Sequence, residues 1–303
     1  MRFEGVIPIL PTPFRDDETL DLASWSRLLE FMVSLKVDGV TILGVLGEAN
    51  RLTDHERDTL ISHAVDTLQG RLPLIVGASH SGTAAAVYQA LRAEQLGAQA
   101  VMLAPSKDAS LSDERILTSY RRVADKTSIP IVLQDHPASS EVPLSIPLIT
   151  RLLHEIPTIA CIKQEAIPTA PKISQLLESL GKQRAPILTG LGALYAPFDL
   201  AAGSSGFNTG FAFPEVLIAM RQAALQEDWA RVHSLFARFA ALIIFEQQPG
   251  VAIRKAIFKR RGLLASAQVR HPGAMLAVGM SQQLDALLAH TLPGVDLTQA
   301  IAL

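Results

Sequence analysis

The sequence predicts an α/β protein: one (β/α)8 TIM barrel with a C-terminal helical extension. Three observations carry that expectation. Eight short apolar runs, rich in Val and Ile, alternate with longer segments of helical spacing. Each run is almost continuously apolar, which is how a strand buried on both faces of a parallel sheet reads. Hydrophobic residues make up 49% of the 303 residues and charged residues 18%, enough to fill one large core.

The runs are GVIPIL from Gly5, GVTIL from Gly39, LPLIVGA from Leu72, AVMLA from Ala100, IPIVLQ from Ile129, IACIK from Ile159, PILTG from Pro186 and SGFNTG from Ser205. The first helix starts near Leu20, with Asp21 as its N-cap, and the second starts at Asp54 behind Thr53, with acids in its first turn. The third, SGTAAAVYQALRAEQLG, ends on Gly97, a C-cap signal. SLSDERILTSYRRVADK from Ser110, SIPLITRLLHEI, APKISQLLESLG, ALYAPFDLAAG from Ala193 and PEVLIAMRQAALQ follow the later runs. Strict alternation implies a parallel sheet, and eight pairs within residues 1–227 fit a closed barrel better than an open one. Residues 228–303 read as helices packed on that barrel: WARVHSLFARFAALIIFEQ, AIRKAIFKRRGLL and SQQLDALLAHTL. Pro272 and Gly273 mark a turn before the last one.

Composition excludes several functions. A formal net charge of -2 gives no basic surplus for nucleic acid and no polybasic segment for a membrane surface. One cysteine, Cys161, rules out an internal disulfide framework and a Cys-rich metal site. The opening MRFEGVIPILPTPF, with Glu4 and three prolines, is no signal peptide. No apolar run approaches the roughly 20 residues of a membrane helix. These features read as a soluble, cytoplasmic protein. There is no phosphate-binding Gly-rich loop and no metal-ligand spacing, so no cofactor is expected.

In such a barrel, chemistry sits at the C-terminal ends of the strands. Lys163 closes the apolar sixth run, and alternation places it on one face with Cys161 and Ile159. Facing the barrel interior, its amine would be desolvated and available as a nucleophile. The competing reading is a lysine that ends a strand and reaches solvent. The turn Gly44-Val45-Leu46-Gly47-Glu48 after the second run could hold a carboxylate on backbone N–H groups, or its glycines could merely relieve strain. Gln134 and His136 share a parity at the end of the fifth run, and His136 is a general acid/base candidate or a loop residue beside Pro137. His80 reads as a loop residue. Gly190 and Asn208 end the seventh and eighth runs and complete the candidate binding set. Asp135 and Glu165 are read as off-parity, with supporting or surface roles. Lys255, Lys259, Arg260 and Arg261 read as a solvated helix face or a subunit contact.

Taken together, the chain resembles the dihydrodipicolinate synthase / N-acetylneuraminate lyase family. The opening GVIPILPTPF, GVLGEANRLTDHER, LPLIVGAS, IACIK and AIRKAIFKRRGLL carry the resemblance in order and spacing. It implies a barrel with a helical extension, a homotetramer, and Lys163 as the amine that forms an imine with pyruvate or another 2-keto acid. The departures are informative. The family's two threonines after strand two are Val45 and Leu46, so carboxylate binding leans on backbone N–H groups. Its proton-relay tyrosine is Gln134, which cannot relay a proton as a phenol does. Its Tyr-Tyr pair is Ser106-Lys107, its arginine after the strand-five proline is Ser139, and its Lys-Glu-Ala is stretched to Lys163-Gln164-Glu165-Ala166. These losses argue against dihydrodipicolinate synthase itself. Gln-Asp-x-Pro on strand five, the PTAPKI segment from Pro168 and the Arg270-His271-Pro272 stretch resemble the 2-keto-3-deoxy sugar acid dehydratase branch.

The implied chemistry is a lyase. Lys163 forms an imine at C2, C3 becomes acidic, and the enamine expels a C4 hydroxyl. Gln134 would orient substrate or water, with His136 or a Gln134-held water as base. A pyruvate-dependent aldolase or dihydrodipicolinate synthase-like enzyme is the alternative within enzymes. A non-catalytic keto-acid-binding barrel is the alternative outside them.

Overall fold

Eight parallel strands form at the eight runs: β1 (Gly5–Val6), β2 (Val40–Ile42), β3 (Leu74–Gly77), β4 (Ala100–Leu103), β5 (Ile131–Asp135), β6 (Ile159–Gln164), β7 (Ile187–Thr189) and β8 (Gly206–Phe207). The computed structural model describes residues 3–107, 112–181 and 185–303. Neighbouring strands follow the order β1-β8-β7-β6-β5-β4-β3-β2. Closure comes between β1 and β2, where Ile9 bridges Thr41 and the Thr41 amide donates to the Pro8 carbonyl at 2.8 Å. The first strand is shorter than its apolar run because Pro8 has no N–H for the ladder.

The helices are α1 (Leu22–Ser34), α2 (Asp54–Leu68), α3 (Thr83–Gln95), α4 (Asp113–Ala124), α5 (Pro137–Ser140), α6 (Ile146–Glu155), α7 (Thr169–Leu180), α8 (Ala196–Ala201), α9 (Pro214–Leu225), α10 (Trp229–Phe245), α11 (Gly250–Arg260) and α12 (Val278–Thr291). Ser110 and Leu111, expected at the head of the fourth helix, lie outside the described residues. Asp21 caps α1 through the Ser24 amide, and Thr53 and Glu56 form a reciprocal capping box on α2. None of the described helices is long and apolar enough to cross a membrane.

Two apolar layers result. Phe3, Ile7, Ile75, Ala100, Met102, Val132, Cys161 and Leu188 fill the barrel interior. The larger layer lies between the strands and the surrounding helices and includes Ile131, Ile159 and Ile162. Lys163 therefore shares its face with Cys161 but not with Ile159. Between the pairs Ile131↔Ile159 and Val132↔Cys161, β6 carries one extra residue, Ala160. That bulge resets the alternation just below the lysine.

The helix expected from Ala193 starts later. Leu191, Gly192 and Ala193 instead form a left-handed turn, with φ of 50°, 65° and 66°, and α8 begins at Ala196. The basic cluster is not one solvated face either. Lys255 and Arg261 are buried in ion pairs with Glu48 and Glu215, while Lys259 is exposed and Arg260 pairs with Asp285.

Candidate active site

At the C-terminal mouth of the barrel, β5 and β6 place Gln134 and Lys163 directly opposite each other in register. Lys163 is 2% exposed. Its Nζ lies 3.0 Å from Glu165 Oε2, and Gln134 Nε2 donates to that same oxygen at 2.7 Å. The other carboxylate oxygen, Oε1, accepts the Leu191 amide at 3.0 Å. His136 stands further off, its Nδ1 3.9 Å from Glu165 Oε2 and 2.7 Å from the Ser139 hydroxyl.

The central position of Glu165 corrects the sequence reading. It stands two residues beyond Lys163, so alternation returns it to the same face as the lysine. The signal was present in the spacing. Asp135, one residue past Gln134, does face away, and Lys172 Nζ meets its carboxylate 2.5 Å away.

The electrostatics follow from burial and neighbours. Desolvation pushes the Glu165 carboxyl up, but Lys163, His136, the Gln134 amide and the Leu191 N–H outweigh it and hold the group below the usual carboxylate range. It is therefore an anion at neutral pH. Burial lowers His136 despite the pull of Glu165, so the ring is neutral there.

The local backbone is shaped around this carboxylate. A Cβ on Gly190 would stand 2.1 Å from Glu165 Oε1, so only glycine lets β7 pass so close. The left-handed turn that follows delivers the Leu191 N–H, and the Gly192 amide is tied to Thr209 Oγ1 at 2.7 Å. Strained backbone of this kind persists when its surroundings over-determine it.

The inner cavity has a volume of about 130 Å³ and is bounded by Lys163, Glu165, Gln134 and His136 on one side, and by Thr209, Gln247 and Arg254 among others on another. Past Val45, Met102 and Gln134 it adjoins a cleft of about 720 Å³ that also takes in Gly44, His80, Ser106 and Lys107. Gln247 and Arg254 come from the C-terminal helices, and the sequence reading did not single them out.

The remaining expected residues fall elsewhere. Gly44, Val45 and Leu46 line the cleft or the cavity. In the short turn Val45–Gly47 the Gly47 amide is spent on the Gly44 carbonyl. Glu48 does not line the cavity; its buried carboxylate pairs with Lys255 and with Arg51, and accepts the Arg270 amide at 3.0 Å. Asn208 does not line it either. Its Nδ2 donates to the Ile7 carbonyl at 3.0 Å and to Thr41 Oγ1 at 2.8 Å, tying β8 to β1 and β2. Both corrections have one cause: at a strand end the side chain is claimed by whichever neighbour the closed barrel brings, and sequence spacing does not specify it.

Known proteins carry the same framework. The chain matches the dihydrodipicolinate synthetase family over residues 2–291. It is 36% identical over 279 residues to L-2-keto-3-deoxyarabonate dehydratase of Azospirillum brasilense, covering 89% of each chain. To 4-hydroxy-tetrahydrodipicolinate synthase of Stenotrophomonas maltophilia it is 30% identical over 304 residues, 96% of this chain and 100% of that one. The crystal structure of dihydrodipicolinate synthase from Rhodopseudomonas palustris superposes with a TM-score of 0.89 at 33% identity, over 95% of this chain and 97% of that one. Both the barrel and the helices after it lie within these matches, and the chain belongs to the dihydrodipicolinate synthetase family of lyases.

Proposed function

We propose that the protein is a 2-keto-3-deoxy sugar acid dehydratase working through an imine on Lys163, with Glu165 as the group that moves the proton. The observation that carries this reading is the buried pair itself. A lysine amine and an ionised carboxylate sit 3.0 Å apart in a cavity, and no tyrosine is among the residues that line it.

The steps balance as follows. The Lys163 amine adds to the C2 ketone, and water leaves to give a protonated imine. That imine withdraws electrons from C3, and Glu165 takes a C3 proton to leave an enamine. The enamine pushes out the C4 hydroxyl, which receives the proton from Glu165 and departs as water. Hydrolysis of the imine frees Lys163 and releases an unsaturated keto acid with its carbon count unchanged. Gln134 contributes by fixing the Glu165 oxygen that faces Lys163. Relatedness to a dehydratase of a 2-keto-3-deoxy acid supports this substrate class. The expected partner is thus a small 2-keto acid.

Borohydride reduction in the presence of pyruvate, followed by peptide mass mapping, tests the imine. One reduced adduct per chain at Lys163 is expected. Incubation with a 2-keto-3-deoxy pentonate should then give a dioxo or keto acid of unchanged carbon count. Release of free pyruvate would assign an aldolase instead, and no adduct with either compound would overturn the lyase reading.

A further inference from the structure

We propose that His136, tethered by Ser139, binds the C4 hydroxyl of the substrate and so selects 2-keto acids that carry one. The inference rests on the lyase reading and names the contact that recognises the group to be expelled.

The strand register places the ring. Gln134 stands opposite Lys163 and Asp135 opposite Gln164, and the Glu165 amide donates to the Asp135 carbonyl at 2.9 Å. His136 is therefore level with Glu165, the next inward-facing residue above Gln134. Its Nδ1 is 3.9 Å from Glu165 Oε2. A keto acid joined through C2 to Lys163 presents C3 to Glu165, and the next carbon, C4, comes to lie between Glu165 and His136. The cavity linings agree with that path. His136 lines the inner cavity, Ser139 lines the larger cleft and Gln134 lines both. The ring thus stands where the chain of a sugar acid passes from one space to the other.

The ring is held, and one of its nitrogens is left over. The Ser139 and Ser140 amides both donate to the His136 carbonyl at 3.0 Å, which fixes the backbone. Nδ1 and the Ser139 hydroxyl share a hydrogen bond of 2.7 Å, which fixes the ring. Nε2 has no hydrogen-bond partner among the described residues, although the side chain is only 19% exposed. A ring tethered at one nitrogen offers the other in a set direction, so a ligand that uses it loses little freedom in doing so.

The chemistry of that nitrogen matches a hydroxyl. Burial keeps the ring neutral near pH 7, so Nε2 is a donor in one tautomer and an acceptor in the other. A hydroxyl both donates and accepts, and it satisfies either tautomer. An anionic group would find no charge on the ring. In the cleft beyond, Lys107 is paired with Glu141, and the Arg57 guanidinium donates to the Gly77 carbonyl at 2.8 Å. The tail that fits is an uncharged polyol. With the C4 oxygen held on Nε2, Glu165 lies beside it and can pass on the proton taken from C3. The C4–O bond then breaks, the enamine electrons form the C3–C4 double bond, and water leaves.

The test compares 4-hydroxy-2-oxobutyrate with 2-oxobutyrate, which differ in the C4 hydroxyl alone, in borohydride trapping on the full-length protein. Adducts at Lys163 are counted with or without loss of water, so the readout does not depend on turnover. Wild-type protein should trap the hydroxy acid at the lower concentration. In His136→Ala the half-trapping concentration for the hydroxy acid should rise roughly 3- to 10-fold, the scale of one lost hydrogen bond, while that for 2-oxobutyrate stays where it was. His136→Gln, whose amide can still exchange a hydrogen bond, should fall between wild type and alanine. No preference for the hydroxy acid in the wild type, or the same preference in His136→Ala, would overturn the proposal. An equal loss for both probes would also overturn it, because a merely structural role would not distinguish the hydroxyl. Absence of any adduct in the wild type would instead overturn the lyase reading on which it rests.

Discussion

Replacing Glu165 by glutamine isolates the charge at the centre of the site. The amide keeps the shape of the side chain but removes the only carboxylate in the cavity lining. It also cannot satisfy its neighbours. Gln134 donates to Oε2, Lys163 pairs with that same oxygen at 3.0 Å, and the Leu191 N–H donates to Oε1. Whichever way the amide is turned, an NH2 faces a donor. The better orientation keeps the carbonyl on Lys163 and Gln134 and loses the Leu191 bond. Removing one partner of a buried ion pair costs about 3–5 kcal/mol, and the retained acceptor puts this variant near 3. That corresponds to a Tm lower by about 5 °C for a chain of this size. The catalytic effect is separate and larger in rate. Loss of a positioned base costs roughly 10²–10⁴-fold. Proton NMR of pyruvate in D2O reads C3 exchange directly, and borohydride trapping reads imine formation. Exchange should collapse by that factor while the Lys163 adduct still forms. Exchange at the wild-type rate would refute the assignment of Glu165 as base and return the role to His136 or to a water on Gln134.

Three other outcomes follow from the same geometry. Gly190→Ala drives a methyl to within 2.1 Å of Glu165 Oε1, so activity should fall steeply while overpacking costs only about 1–3 kcal/mol by urea unfolding. Lys255→Met leaves buried Glu48 without one of its cations; unfolding should be easier by about 3 kcal/mol, and the double variant Lys255→Met/Glu48→Met should recover part of that loss. Glu246 has a folded-state pKa raised from 4.5 to about 7, so its contribution to stability is fully present below 4.5 and is lost as pH rises through 7. Wild-type protein should therefore lose up to about 3 kcal/mol more than Glu246→Gln across that window, read from paired denaturant titrations, and equal slopes would refute the assignment.

The strand–helix order was legible because it depends on composition over many residues: eight apolar runs met eight parallel strands. What escaped the sequence was local and geometric. Alternation puts Ile159 beside Lys163, and a single extra residue, Ala160, turns it outward. The helix expected from Ala193 starts at Ala196, because a left-handed turn over Leu191–Ala193 comes first and presents the Leu191 N–H to Glu165. Glu48 and Asn208 stand at strand ends, but both are held by residues distant in sequence: Lys255 and Arg270 for one, Ile7 and Thr41 for the other. Glu165 was readable, since a spacing of two on a strand is the same-face spacing. Arg254 carried a weaker signal: two adjacent cations, Arg254 and Lys255, inside an apolar helical stretch. Nothing in local spacing says that this helix returns to the barrel mouth.

Those two adjacent cations explain why the extension bears on the site at all. Neighbours on a helix point about 100° apart, so α11 presents Arg254 to the cavity and Lys255 to Glu48. Glu48 immediately follows the turn Val45–Gly47, which α11 also touches. Lys255 and Arg270 both lie over the Phe14 ring at 4.3 Å, joining the loop after β1 to the same anchor. One helix thus fixes the turn that forms the cavity rim and also lines the cavity through Arg254. A turn that had kept hydroxyl side chains could bind a carboxylate with its own residues. With Val45 and Leu46 in their place, the turn has its backbone N–H groups to offer, and α11 fixes where they stand. Substitutions that shift this helix without touching the cavity should then raise KM for the keto acid more than they lower kcat.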